Sequence, residues 1–136
     1  MHVTPRSALT AAFESADVDA IIAMMTEDAW LRMPPLPLEY QGRELAVGFL
    51  TATAFRPGWT ARLIPARANG QPAFGVYLRD PVTDAGHAMG LFVVTLAGDR
   101  VSAITRFDNA VLFRFGFPGR WPGSIASPPR GNATTR

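Results

Sequence analysis

The sequence contains no cysteine and no lysine. The first absence excludes disulfides, thiolate nucleophiles and Cys-ligated zinc or iron–sulfur sites. The second excludes Schiff-base catalysis and a phosphate-loop lysine. Histidine occurs only as His2, near the terminus, and His87. That is too few for a His-based metal site, and no HExxH or paired-carboxylate spacing takes its place, so neither metal nor cofactor is expected. Catalysis would have to use Asp, Glu, one His, Tyr, Arg and water. No run of about 18 apolar residues is present, so no membrane span is expected. The N-terminal stretch MHVTPRSALTAAFESAD lacks the long apolar segment of a secretory signal. A cytoplasmic location is the resulting expectation.

The net charge of +2 is misleading when taken whole. From Pro118 onward the chain carries Arg120, Arg130 and Arg136 and no acid, whereas in residues 1–117 ten Arg face eleven acids. The basic excess is a property of the tail, and nucleic-acid binding by the folded body has no support in composition. The tail, WPGSIASPPRGNATTR, is rich in Pro, Gly, Ser and Thr and is expected to be largely unstructured. Trp121 is expected to pin its start to the body. The domain expectation is therefore a folded body over residues 1–117 and a flexible tail over 118–136.

What is present suits one globular domain. A chain of 136 residues, 48% of them apolar, buries roughly two-thirds of its unfolded surface, enough for a core and a cavity. Leu9, Ala12, Phe13 and Ala16 recur at helical spacing over residues 6–16, with Ser7 or Thr4 as a cap. Asp17 is positioned to cap a second helix over residues 18–25. Glu27-Asp28 reads as a turn before a strand over residues 29–33. A third helix spans about residues 43–54, with Leu45, Ala46, Phe49 and Leu50 inward and Pro57-Gly58 as its stop. Strand texture follows over 59–68, 72–79, 87–96 and 100–108, with Asn69-Gly70 as a strong hairpin signal. The expectation is an α+β fold, three N-terminal helices packed on one face of a curved antiparallel sheet.

The segment DAWLRMPPLPLEYQGRELAVGFL holds a strand, a proline-stiffened lip and a helix start in sequence. Met33, Leu36, Leu38 and Tyr40 on that lip suit an apolar ligand or cover one end of the core.

Layout and local sequence together resemble the SnoaL-like branch of the nuclear transport factor 2 superfamily over about residues 5–115. The resemblance implies a cone, a strongly bent antiparallel sheet closing with the helices around a pocket. Met33-Pro34 through Tyr40 and Gly42-Arg43 resemble a segment of limonene-1,2-epoxide hydrolases. The runs RANGQPAFG (67–75), ITRF (104–107) and LFRFG (112–116) resemble the C-terminal domain of certain extracytoplasmic-function sigma factors, the nearer of the two. The sequence also departs from the hydrolases. Their water-holding Tyr and Asn positions fall on Trp30 and Arg32, and a last-strand Asp position falls on Arg106, so hydrolysis by that mechanism is not implied. The promoter-binding regions of a sigma factor are not seen, and a free-standing relative is the expectation.

Side chains alternate across a strand. By the resemblance, the face of Ser102, Ile104, Arg106 and Asp108 looks into the pocket, and Trp30 and Arg32 look the same way. Arg32, Arg106 and Asp108 are then the candidate catalytic set, with His87 at the mouth on a face shared with Met89, Leu91 and Val93. Two Arg around one Asp would hold it ionised as a base or bind an anionic oxygen. The alternative is a solvated ion pair at the rim. Trp30, Met33, Leu36, Tyr40, Tyr77, Arg79 and Ile104 are candidate substrate contacts. Tyr77 and Arg79 line the pocket only if their face turns inward. Trp59, Phe74, Phe92, Phe107, Phe113 and Phe115 read as core or interface aromatics. An apolar outer sheet face suggests a homodimer pairing through the sheet.

Two functions follow. One is a cofactor-independent acid–base enzyme of cyclase, isomerase or hydrolase type, acting on a hydrophobic carbonyl, polyketide-like or terpene-like molecule. The other is a non-catalytic ligand-sensing or regulatory module, as the sigma-factor resemblance implies.

Overall fold

The computed structural model describes residues 5–53, 58–68 and 70–121. Thr4, Pro57 and Asn69, expected as cap, helix stop and turn residues, lie outside them, as do His2 and the tail from residue 122. Helices α1 (Pro5–Glu14) and α2 (Val18–Met24) lead into strand β1 (Met25–Arg32). Short strand β2 (Glu39–Gln41), helix α3 (Arg43–Thr53) and strands β3 (Thr60–Ala68), β4 (Gln71–Arg79), β5 (Gly86–Ala97) and β6 (Arg100–Phe107) follow. Helix α4 (Asn109–Arg114) and strand β7 (Arg120–Trp121) close the described chain.

The curved sheet runs β2-β1-β6-β5-β4-β3, with β7 added to β5. All pairings are antiparallel except that of β1 with β6. β3 and β4 form a two-residue hairpin, Ala68 opposite Gln71, and Gly70 supplies the positive φ of 78° that this turn needs. Asp17 caps α2, accepting a 3.1 Å bond from the Ala20 amide.

The inner face of the sheet packs on α1–α3. Phe13, Ile21, Leu31, Leu50, Phe74, Phe92 and Ile104 are all buried there, and Phe13 meets Phe92 edge-on at 6.3 Å. Each such side chain contributes about 1.5–3 kcal/mol by leaving water. A second apolar cluster lies on the outer face. Ala73, Tyr77, Leu91 and Val93 sit there beneath Leu112 of α4, Phe117 and Trp121.

Five sequence expectations change. β1 starts at Met25 instead of residue 29. The fully buried Met25 pairs with Val101, and a register irregularity before Trp30 absorbs the exposed Glu27 and Asp28. Leu45 is 62% exposed, because α3 buries a stripe through Ala46, Val47 and Leu50 that leaves it outside. Ser7 lies inside α1 instead of capping it. β6 ends at Phe107 instead of Asp108 and gives way to α4, which the sequence reading missed. The folded body also runs past residue 117, since β7 pairs with β5 through Gly86 opposite Trp121. Among the described residues, no helix is long and apolar enough to cross a membrane.

Candidate functional site

One irregularity in β5 builds the site. Ala88 lies opposite Tyr77 and Gly90 opposite Val76, so Met89 is an extra residue, a β-bulge. Gly90 has φ 120°, and a Cβ there would overlap the carbonyl oxygen of Phe107. Only glycine fits this conformation and this close approach. The bulge reverses the alternation of the strand. His87 and Met89 face inward, while Leu91 and Val93 face outward beside Tyr77. The expectation that all four share a face is corrected by that single inserted residue.

Beyond the packed core, a cleft of about 510 Å³ opens between α3 and the sheet. Phe49 and Ala52 of α3, Trp59, Leu78 and Met89 form its apolar wall. Arg106 and His87 supply its charged and titratable lining. Arg106 Nε donates a 2.6 Å hydrogen bond to the Met89 carbonyl, so the bulge also orients the guanidinium. Burial pulls the pKa of Arg106 below the usual guanidinium range, and the charge of Asp108 works against that shift. Arg106 forms no ion pair with any described residue.

His87 stands at the mouth, with its ring 6.2 Å from that of Trp59 and its Nε2 3.7 Å from Asp80 Oδ2. The Val82 amide, at 2.8 Å from Asp80 Oδ1, is the main cause that holds Asp80 below the usual carboxylate range. Burial opposes it, and Thr83 and His87 add to it.

Of the expected site residues, Arg106 and His87 meet at this cleft. Asp108 does not. Its Oδ1 caps α4, accepting from the amides of Ala110 at 3.1 Å and Val111 at 3.3 Å, and the residue is exposed. Arg32 and Trp30 lie on the opposite face of the sheet. The parallel register sets Leu31 beside Ile104 in the inner core, and therefore Arg32 beside Thr105 outside. Arg32 sits 4.7 Å from the Trp30 ring centre and 3.7 Å from Glu39.

The lip is likewise away from the cleft. Met33, Leu36 and Arg32 line a separate hollow of about 110 Å³, with Leu36 55% exposed. Tyr40 stacks on Phe49 at 5.0 Å and so backs the cleft wall without lining it. Ile104 faces inward but is buried in the core. Tyr77 and Arg79 face outward, Tyr77 under the C-terminal segment and Arg79 paired with Asp84. Sequence reasoning missed Ala52, Trp59 and Leu78 as cleft residues. An isolated Gly90 inside a strand was the available signal that the alternation breaks there. Among the described residues, no three His, Asp or Glu side chains gather closely enough to hold a metal.

Solved structures share this architecture. A proposed ketosteroid isomerase from Kribbella flavida superposes with a TM-score of 0.61 at 17% identity, over 97% of this chain and 85% of that one. An epoxide hydrolase of the limonene-epoxide-hydrolase-like type from Mycobacterium tuberculosis gives 0.59 at 13% identity, covering 82% and 88%. An NTF2-like protein of unknown function from Mesorhizobium loti gives 0.57 at 17% identity, covering 74% and 84%. The chain has the NTF2-like fold.

In sequence, this NTF2-like chain is 39% identical over 111 residues to the ECF RNA polymerase sigma factor SigG of Mycobacterium tuberculosis. The match takes in 79% of this chain and 29% of that protein, so the chain spans less than a third of its relative's length. No protein-family model matches the sequence. The relatives of this NTF2-like fold carry different activities in their names, and a shared fold does not choose among them.

Proposed function

We propose that this chain is a small-molecule-binding module, with the cleft of Phe49, Trp59, Met89 and Arg106 as its ligand site. The observation that carries this reading is the fate of Asp108. The carboxylate expected as the base is engaged as a helix cap, and among the described residues the charged or titratable groups lining the cleft are Arg106 and His87. A guanidinium stays charged and is a poor proton shuttle. Similarity to a segment of a sigma factor supports a ligand-responsive regulatory role.

A cytoplasmic location and a homodimer belong to the same reading. With α4 over β5 and reaching β6, a sheet-paired dimer has the β1 side of the outer face to use, where Trp30 and Arg32 stand.

A second reading has one observation behind it, the His87–Asp80 pair at the mouth of the cleft that Arg106 also lines. A carboxylate beside an imidazole is a general-base arrangement. In a cyclase, isomerase or hydrolase of this kind, His87 moves the proton and Arg106 stabilises an oxyanion. The test is native mass spectrometry of the protein from its own host, with release and identification of any bound molecule. That molecule is then incubated with the protein. Recovery unchanged supports the binding module, and conversion that is lost in His87→Ala establishes the enzyme.

A further inference from the structure

We infer that the ligand of the cleft is an apolar molecule carrying an anionic group, a carboxylate or sulfonate, held by the guanidinium of Arg106. This inference rests on the cleft being a ligand site. Arg106 is half-buried, its Nε is held by the Met89 carbonyl, and it makes no ion pair with the described residues. The nearest acid in sequence, Asp108, spends its carboxylate on the amides of Ala110 and Val111.

An apolar molecule seated against Phe49, Trp59, Leu78 and Met89 covers the mouth and strips water from the guanidinium. A neutral ligand would leave that cation buried and unpaired, which is costly. An anionic ligand supplies the missing acceptor, and a guanidinium with Nε already fixed offers its terminal nitrogens to two oxygens in a defined plane. His87 lies on the same lining but is engaged by Asp80, so it is a subsidiary contact. The cleft therefore selects by charge as well as by shape.

A matched pair of fluorescent probes tests this. 8-Anilinonaphthalene-1-sulfonate and N-phenyl-1-naphthylamine share an arylamine body, and the second lacks the sulfonate. Titrated into the full chain, the sulfonate is expected to bind about tenfold or more tightly than the neutral probe, the gain of a charge-assisted bond. Its affinity falls with added salt, whereas that of the neutral probe does not. Arg106→Gln removes the preference, weakening the sulfonate and sparing the neutral probe the burial of an unpaired cation, and Arg106→Lys restores part of it. Ala52→Trp, which fills the cleft from an exposed helix position, removes both probes and localises the binding.

Equal affinity of the two probes for the unmodified chain overturns the anionic assignment and leaves the ligand site standing. A preference that survives Arg106→Gln does the same. Absence of saturable binding by either probe, or binding by both that survives Ala52→Trp, overturns the ligand site and this inference together.

Discussion

The Tyr77 hydroxyl donates a 2.6 Å hydrogen bond to the carbonyl of Pro118, and the Tyr77 ring meets Trp121 edge-on at 5.2 Å. The contact clasps the C-terminal segment onto the outer face of the sheet. Tyr77 is fully buried beneath it, and burial pushes its pKa above the ordinary 10.0. In the unfolded chain Tyr77 releases its proton at the ordinary value. Stability from this group is therefore complete below that pH and declines as pH rises above it. Tyr77→Phe is expected to cost about 1 kcal/mol at neutral pH and to flatten the decline above about pH 10. Urea melts of both proteins across the alkaline range test this. A parallel decline in the two would mean that other groups govern alkaline unfolding.

Removing the clasp exposes what it covers. A chain ended after Arg114 keeps Leu112 of α4 but loses Phe117 and Trp121, and so uncovers part of the outer-face cluster of Ala73, Tyr77, Leu91 and Val93. A contiguous apolar patch of this kind associates. Sedimentation velocity is expected to show the shortened chain as a larger species than the full chain at the same concentration, with far-UV circular dichroism retained. Identical sedimentation of the two would mean that the segment does not limit pairing through this half of the sheet.

These two contacts mark how much the sequence could reveal. Strand and helix periodicities, the Asn69-Gly70 turn and the Asp17 cap are local signals, and each predicted an element the fold contains. Faces were less legible because they depend on register. The one extra residue at Met89 moved His87 away from Leu91 and Val93. The parallel pairing of Leu31 with Ile104, set by a contact far along the chain, turned Trp30 and Arg32 outward. In the sequence Asp108 reads as the last residue of a strand, and its other role, a helix cap before Ala110, Val111 and Leu112, needs only a change in where the strand ends. Arg106 and His87 came together at the cleft, but through a bulge that alternation alone does not foresee.

Asp108 separates the catalytic expectation from the observed cap. Asp108→Ala removes the acceptor for two helix amides and is expected to cost about 1 kcal/mol. Asp108→Asn keeps a capping side chain and is expected to stay near the parent stability. Neither is expected to change probe affinity in the cleft by more than about twofold, a shift well under 1 kcal/mol. Urea melts and the probe titration on the same preparations give both answers. A large loss of binding in Asp108→Asn at unchanged stability would return Asp108 to the site.

Gly90 is the residue on which the cleft geometry depends most directly. Its φ of 120° is a region that side-chain-bearing residues seldom occupy, and its Cα faces the backbone oxygen of Phe107. Gly90→Ala must either strain the backbone or push β5 and β6 apart, at a cost of about 1–3 kcal/mol. The added methyl would also lie 3.1 Å from Arg106 Nε, so straightening of the bulge and direct contact alike shift the guanidinium from the Met89 carbonyl. The expected outcome is a coupled loss. The variant melts at lower urea, and its preference for the sulfonate probe over the neutral one shrinks. A double-mutant cycle with Arg106→Gln makes the coupling measurable, because once the guanidinium is gone the effect of Gly90→Ala on that preference should vanish. Additive effects of the two substitutions would mean that the bulge shapes the cleft without orienting Arg106.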